Sequence, residues 1–425
     1  MHSNANVAEK TSVPSSEFAQ GWRVVLAALL GVACGASPVP YNAIGQLLGP
    51  VHAQMGWSLR DISLAITLYG VIAACTAPLF GWLADRYGVR RVALASLVTF
   101  GLSFGSLAFI PGNLWAWWIG WSLAGLLGMG STPITWTRGI NLWFFRQRGM
   151  ALGMTLIGTS LTAMVVPLLA GWGIDQFGWR AAFPVLAALP LVIALPVAWI
   201  WFREPRPEQR PPQVSAGGRL TGVSTSQALH DYRFWLIFIS VTLIALAYGG
   251  IFVHLQQMFE LKGFEKTTAR GVVSTLGLAI LFGRLGTGWL LDRVWAPWVT
   301  LPLLSAPAIA CLLLAGPALS LPLAYVSALI VGLAAGAETD LIAYLAGRYF
   351  GMANYGRIYG LLYMPFGIAS AVSPAAYGWV RDSTGNYDLA LHVALVMFLV
   401  GALMLLLLGR YPDFSAASLS APQRD

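Results

Sequence analysis

Charge is what this sequence has least of. Only 10% of its 425 residues are Asp, Glu, Lys or Arg, against 57% hydrophobic, and the mean hydropathy is +0.69. A soluble domain of this size would carry about a quarter charged residues, so a water-exposed enzyme or nucleic-acid binder is excluded. Cysteine is scarce as well. Cys34, Cys75 and Cys311 fall inside apolar runs, with no pairing or metal spacing, and read as small buried hydrophobes. The histidines (His2, His52, His230, His254 and His392) are scattered, and no HExxH, GxSxG or P-loop pattern occurs. No metal, cofactor or catalytic nucleophile is therefore expected, and the chain does not read as an enzyme.

Long apolar runs are plentiful instead. A helix needs about 20 apolar residues to cross a bilayer. Twelve such runs lie near 24–47, 62–82, 92–110, 114–136, 149–172, 182–202, 234–258, 271–291, 297–316, 320–347, 357–379 and 388–409. They predict an all-α membrane protein of twelve transmembrane helices. The polar gap at 203–233, with REPRPEQRPPQ and SAGGR, reads as a linker between bundles at 24–202 and 234–409. Tails at 1–23 and 410–425 flank them. The polar first twenty residues lack a signal-peptide pattern, so the amino terminus is expected to be retained.

Basic residues set the orientation. With both termini and the linker placed inside, eighteen Lys and Arg lie inside and six outside. That bias predicts cytoplasmic termini. It also assigns the net charge of +8 to the inner membrane face rather than to nucleic acid. Tryptophans near helix ends, such as Trp115, Trp117 and Trp118, read as an interfacial belt.

The chain repeats itself at one offset. GWLADR at 81–86 returns as GWLLDR at 288–293, and GWGID at 171–175 resembles GWVRD at 378–382, each 207 residues on. The same shift pairs Gly149 with Gly356, Gly153 with Gly360, and Pro167 with Pro374. A single register of this kind indicates a duplicated six-helix unit, an architecture of secondary transporters.

The stretch from Gly81 through Asp85, Arg86, Gly88, Arg90 and Arg91 resembles the signature of the major facilitator superfamily. The resemblance implies a cytoplasmic gate at these residues, repeated around Asp292 and Arg293, with Arg348 near it. Gly81 permits close helix packing, and Asp85 can cap a helix end and attract a base on the other bundle. A narrower resemblance covers most of the chain. GWRVVLAALLGVACGAS at 21–37, WFFRQRGMALGMTLIGTSL at 143–161 and FGRLGTGWLLDR at 282–293 are similar to the monocarboxylate porters and their bacterial oxalate/formate antiporter relatives. It implies that Arg284 binds a substrate carboxylate, and that the chain is a carrier in a bacterial inner membrane.

The deep charges fit that implication. Arg284 lies eight residues before Asp292, roughly 12 Å from the helix end at 1.5 Å per residue. A centrally placed Arg costs about 2.5–3.5 kcal/mol to insert, so it needs a wet cavity or a partner. Either it grips a carboxylate with its fork, or it ties two helices together. Glu338 and Asp340 lie at similar depth. Two residues apart on a helix, they point to different faces; Asp340 shares its face with Tyr344, Gly347 and Arg348. A buried carboxyl without a partner favours its protonated form, which is what proton symport requires. Glu338 or Asp340 is therefore the candidate proton carrier; the alternative is that both only neutralise bases.

Other positions complete the candidate site. Where the family has a first-helix Lys, the PYNA segment offers Tyr41 or Asn42. Tyr69, Trp136, Tyr363 and Phe366 are candidates to line the cavity, and His254 to bind or relay protons, although packing accounts for each as well. The eleventh span has no Lys, and Ile280 stands where the family often has an acid or amide. One fixed cation suits a monoanion better than a dianion. At the repeat offset Arg284, Glu338 and Asp340 correspond to Ala77, Ser131 and Pro133, so the second half holds the ion chemistry. The expected function is proton-coupled symport of a small organic monocarboxylate by a monomer in the lipid bilayer. Carboxylate exchange and proton-coupled drug efflux are the rivals, and Arg284 argues against a cationic cargo.

Overall fold

The computed structural model describes residues 17–205, 220–316 and 318–414. Lys10, Arg206, Arg210, Arg219 and Arg424, residues 206–219 of the expected linker and much of both tails lie outside the described residues. Among the described residues the chain is helical, with one isolated bridge between Gly222 and Gly351.

The first half contains α1 (Glu17–Ala33), α2 (Val39–Met55), α3 (Leu59–Tyr87), α4 (Val89–Ser106), α5 (Leu114–Gly128), α6 (Pro133–Trp143), α7 (Arg148–Phe177), α8 (Ala182–Ala188) and α9 (Leu195–Trp201). The second contains α10 (Thr225–His230), α11 (Tyr232–Leu261), α12 (Lys266–Leu291), α13 (Ala296–Ser305), α14 (Pro307–Ala315), α15 (Leu321–Phe350), α16 (Tyr355–Thr384) and α17 (Asp388–Leu405).

Ten described stretches are long and apolar enough to cross a membrane. The expected first and fourth spans are instead interrupted, between α1 and α2 and between α5 and α6. Proline is the cause. It lacks an amide hydrogen and disfavours a helical residue before it. Thr132, ahead of Pro133, is extended, and Pro38 opens the second piece of the first span. The two breaks pack together and satisfy one another, as backbone at membrane depth must. The Ala36 amide donates to Ser131 Oγ at 3.0 Å, and the Trp136 indole to the Ser131 carbonyl at 2.9 Å. Thr162 donates to the Ala33 carbonyl at 2.5 Å, and Tyr69 to that of Ala36.

The halves meet crosswise, α3 along α16 and α7 along α12. Four glycines related by the repeat allow it. A Cβ on Gly81 would collide with the backbone of Gly356, and one on Gly149 with that of Gly288. Small residues at such crossings let helix backbones touch without lipid between them.

Candidate functional site

The site begins with charges that the second half cannot leave unpaired. Arg284 on α12 donates through Nη1 to Asp340 Oδ1 on α15 at 2.7 Å. The pair is almost sealed, at 6% and 1% exposure. Glu338, two residues earlier, is also buried, yet it forms no ion pair among the described residues, and its Oε1 has no hydrogen-bond partner. The helical angle accounts for the split: one acid is tied to α12 and the other is not. Tyr248 of α11 lies in electrostatic range of both Glu338 and Arg284, and its buried hydroxyl has no hydrogen-bond partner among the described residues. Tyr359 of α16 lies in similar range of Asp340.

A column of rings runs past these charges. On α16 the centroids of Tyr355 and Tyr359 are 5.6 Å apart, those of Tyr359 and Tyr363 5.9 Å, and those of Tyr363 and Phe366 5.2 Å. Tyr363 reaches Ser37 at the first helix break and lies in range of Tyr41 and Tyr69. Tyr41 meets Tyr69 edge-on at 6.0 Å and is half exposed. Tyr41, Tyr69, Tyr363 and Phe366 thus gather where α16 packs against α3 of the first half. Asn42 instead donates to the Pro38 carbonyl at 2.7 Å, within its own helix start. Trp136 is sealed in the first half, 4.6 Å from the Phe202 ring. His254 lies with α16 and α17. Its Nε2 is 2.9 Å from the Pro374 carbonyl oxygen and its Nδ1 3.0 Å from the Tyr387 hydroxyl.

At one end the halves latch. Asp85 accepts from the amides of Gly356 and Arg357, both at 2.9 Å, and so caps α16 of the other half. Asp292, 207 residues on, accepts from Gly149 and Met150 at 2.6 and 2.9 Å, and so caps α7. A carboxylate at a helix amino terminus satisfies orphan amides and the positive end of the dipole. Asp85 also pairs with Arg138 Nε at 2.9 Å within its own half. Asp292 sits just beyond the end of α12, where partial burial raises its pKa and the two amide bonds oppose that rise.

The remaining gate candidates are spread around these caps. Arg348 packs over the rings of Tyr411, Phe145 and Tyr344 at 4.5, 5.5 and 5.8 Å. Gly88, at φ +89°, turns the chain so that the Val89 amide donates to Glu204 at 3.0 Å. Arg90 donates to the Trp199 carbonyl at 2.6 Å, inside the first half. Arg86 packs over Trp82 and Tyr87, and Arg293 over Trp289. Arg91 is exposed. Arg138, Tyr248, Tyr355 and Tyr359 are site neighbours that the sequence reading did not single out. The spacing of Tyr355, Tyr359, Tyr363 and Phe366, by four, four and three, places all on one helix face and was the available signal.

Two helical halves related by an internal repeat, meeting at a latch and enclosing a buried charge pair, define a membrane transporter rather than an enzyme. The chain belongs to the Major Facilitator Superfamily, whose family model matches residues 24–374. It is similar to monocarboxylate transporter 13 of Bos taurus, at 26% identity over 87% of this chain and 84% of the relative. It is also similar to a probable sulfoacetate transporter of Cupriavidus necator, at 27% identity over 83% and 86%. Among solved structures, the human organic anion transporter MFSD10 shares the fold with TM-score 0.70 at 16% identity, over 92% of this chain and 100% of that one. FucP in the outward conformation does so with TM-score 0.67 at 13% identity, over 91% and 98%.

Proposed function

We propose that this transporter carries a small organic monocarboxylate together with a proton, by alternating access across a bacterial inner membrane. In this reading both termini are cytoplasmic and the latch is the closed cytoplasmic gate. The observation that carries it is the buried group of one cation and two acids, Arg284, Asp340 and Glu338. Asp340 is the resting counter-ion of Arg284. A substrate carboxylate competes for the same guanidinium fork, which suits bidentate capture.

Charge balance then demands the proton. Binding an anion adds one negative charge to a group whose cation is already matched, and an unmatched ion in a dry site is costly. One proton per monoanion restores the balance. Glu338, the acid without an ion partner among the described residues, is the natural carrier, and Tyr248 lies in electrostatic range of both it and Arg284. The relatives that transport monocarboxylates and sulfoacetate support an anionic cargo. The rings of Tyr41, Tyr69, Tyr363 and Phe366 supply the apolar walls.

The test is a pH dye sealed inside proteoliposomes. Addition of a transported monocarboxylate acidifies the lumen with the wild-type protein and not with Glu338→Gln. Carboxylate entry into wild-type vesicles without acidification would replace symport with exchange.

A further inference from the structure

Arg148, the first residue of α7, is completely buried, yet no described acid forms an ion pair with it. Its Nε reaches the Phe144 carbonyl at 3.4 Å, while Nη1 and Nη2 have no hydrogen-bond partner among the described residues. The nearby acid and the two nearby hydroxyls are already committed, while the Asn141 side chain has no hydrogen-bond partner among the described residues. Asp292, in electrostatic range, spends its oxygens on the Gly149 and Met150 amides. The Tyr344 hydroxyl donates to the Leu291 carbonyl at 2.7 Å, and that of Tyr355 lies 3.2 Å from both Thr137 and Ala343 acceptors.

A second cation faces it from the other half. Arg348 of α15 is in electrostatic range of Arg148, and the two guanidinium carbons sit 5.5 and 5.9 Å from the one Phe145 ring. Glycine allows this closeness. A Cβ on Gly347 would come 3.0 Å from Arg148 Nη1 and 3.6 Å from the Asn141 amide nitrogen. The closed latch therefore holds two like charges, one from each half, with a guanidinium fork left unsatisfied. A buried cation in that state calls for an anion.

We propose that Arg148 and Arg348 form a second anion station on the latched side of Arg284, which receives the carboxylate as the gate releases. This rests on the carboxylate reading above. Arg348 lies eight residues along α15 from Asp340, so the station is about 12 Å from the central pair. When α7 and α12 part, both guanidinium groups become wet and face each other. A carboxylate between them offsets their repulsion and accepts from the free fork. The station is weak by design of its place, since each opening also admits water.

The experiment measures KM for one radiolabelled monocarboxylate from each side of vesicles holding the protein in known orientation. Arg148→Gln and Arg348→Gln raise KM five-fold or more from the latched side and less than two-fold from the other. Arg148→Lys, which keeps charge without a fork, falls between. Gly347→Ala presses on the fork with both arginines intact and moves the same one-sided KM, which keeps the test open should Arg148→Gln not fold. Equal changes on both sides, or a lower turnover with KM unaltered, overturn the station. Wild-type protein that moves no carboxylate overturns the parent reading as well; wild-type transport with unchanged sidedness in the variants overturns the station alone.

Discussion

Arg284, Asp340 and Glu338 are three residues whose removal has three different consequences. Asp340→Asn leaves Arg284 buried without its charge partner, and breaking such a pair costs about 3–5 kcal/mol. The variant is expected to lose thermal stability in detergent, read as a fall in melting temperature, and to regain part of it when a monocarboxylate is added. Arg284→Lys keeps the charge and loses the planar fork. Its KM for a carboxylate should rise tenfold or more; an unchanged KM would show that Arg284 is only a helix tie. Glu338→Gln removes a titratable group that has no ion partner to lose, so folding survives and only the response to a pH gradient disappears. The separation of the two acids was legible before the structure, because two residues along a helix subtend about 200°. The partner of each was not. Spacing says which way Asp340 points on its own helix, but not that α12 brings Arg284 there, or that α11 brings Tyr248 toward Glu338.

At the scale of helices, the repeat was the informative signal. The register of 207 pairs Asp85 with Asp292 and Gly149 with Gly356, and the structure joins them crosswise, each acid capping the opposite half's helix at the glycine that is its second residue. Loss of one N-cap costs about 1 kcal/mol. Asp85→Ala or Asp292→Ala should therefore raise the unlatched population roughly five-fold, since about 1.4 kcal/mol is tenfold. The measurement is alkylation of a cysteine placed near the latch, which should speed up in both variants; equal rates would show that the caps do not hold the gate. Bulk acts in the same direction through another route. Gly81→Val drives a side chain into the Gly356 backbone and should prevent closure outright. Less was legible where helices break. Apolar length alone gives an unbroken first and fourth span, but Pro38 and Pro133 end them, and the orphaned backbone is rescued by Ser131, Tyr69 and Thr162 from elsewhere in the chain. Such rescue depends on packing that no local pattern encodes.

For the whole molecule, the asymmetry between halves is the main consequence. The first half breaks its first and fourth spans at proline where the second keeps the continuous helices α11 and α15, and it lacks the deep charges: Pro133 stands at the repeat position of Asp340, and Ala77, in the unbroken α3, at that of Arg284. The repeat gives the two halves a common frame, and the deep charges Arg284, Glu338 and Asp340 are confined to one of them. The two-bundle plan and its charge-bearing half could be read from composition, repeat and register. The closed latch and the buried Arg148, without an ion pair among the described residues, could not, because both depend on how the halves dock.

The most direct measurement is uptake of a radiolabelled carboxylate panel into proteoliposomes, with and without an inward proton gradient. A proton-coupled monocarboxylate carrier accumulates at least one small monoanion above equilibrium when the outside is acidic, favours it over dicarboxylates, and loses that accumulation in Glu338→Gln. Vesicles that move no carboxylate under either condition while exporting lipophilic cations would contradict the account.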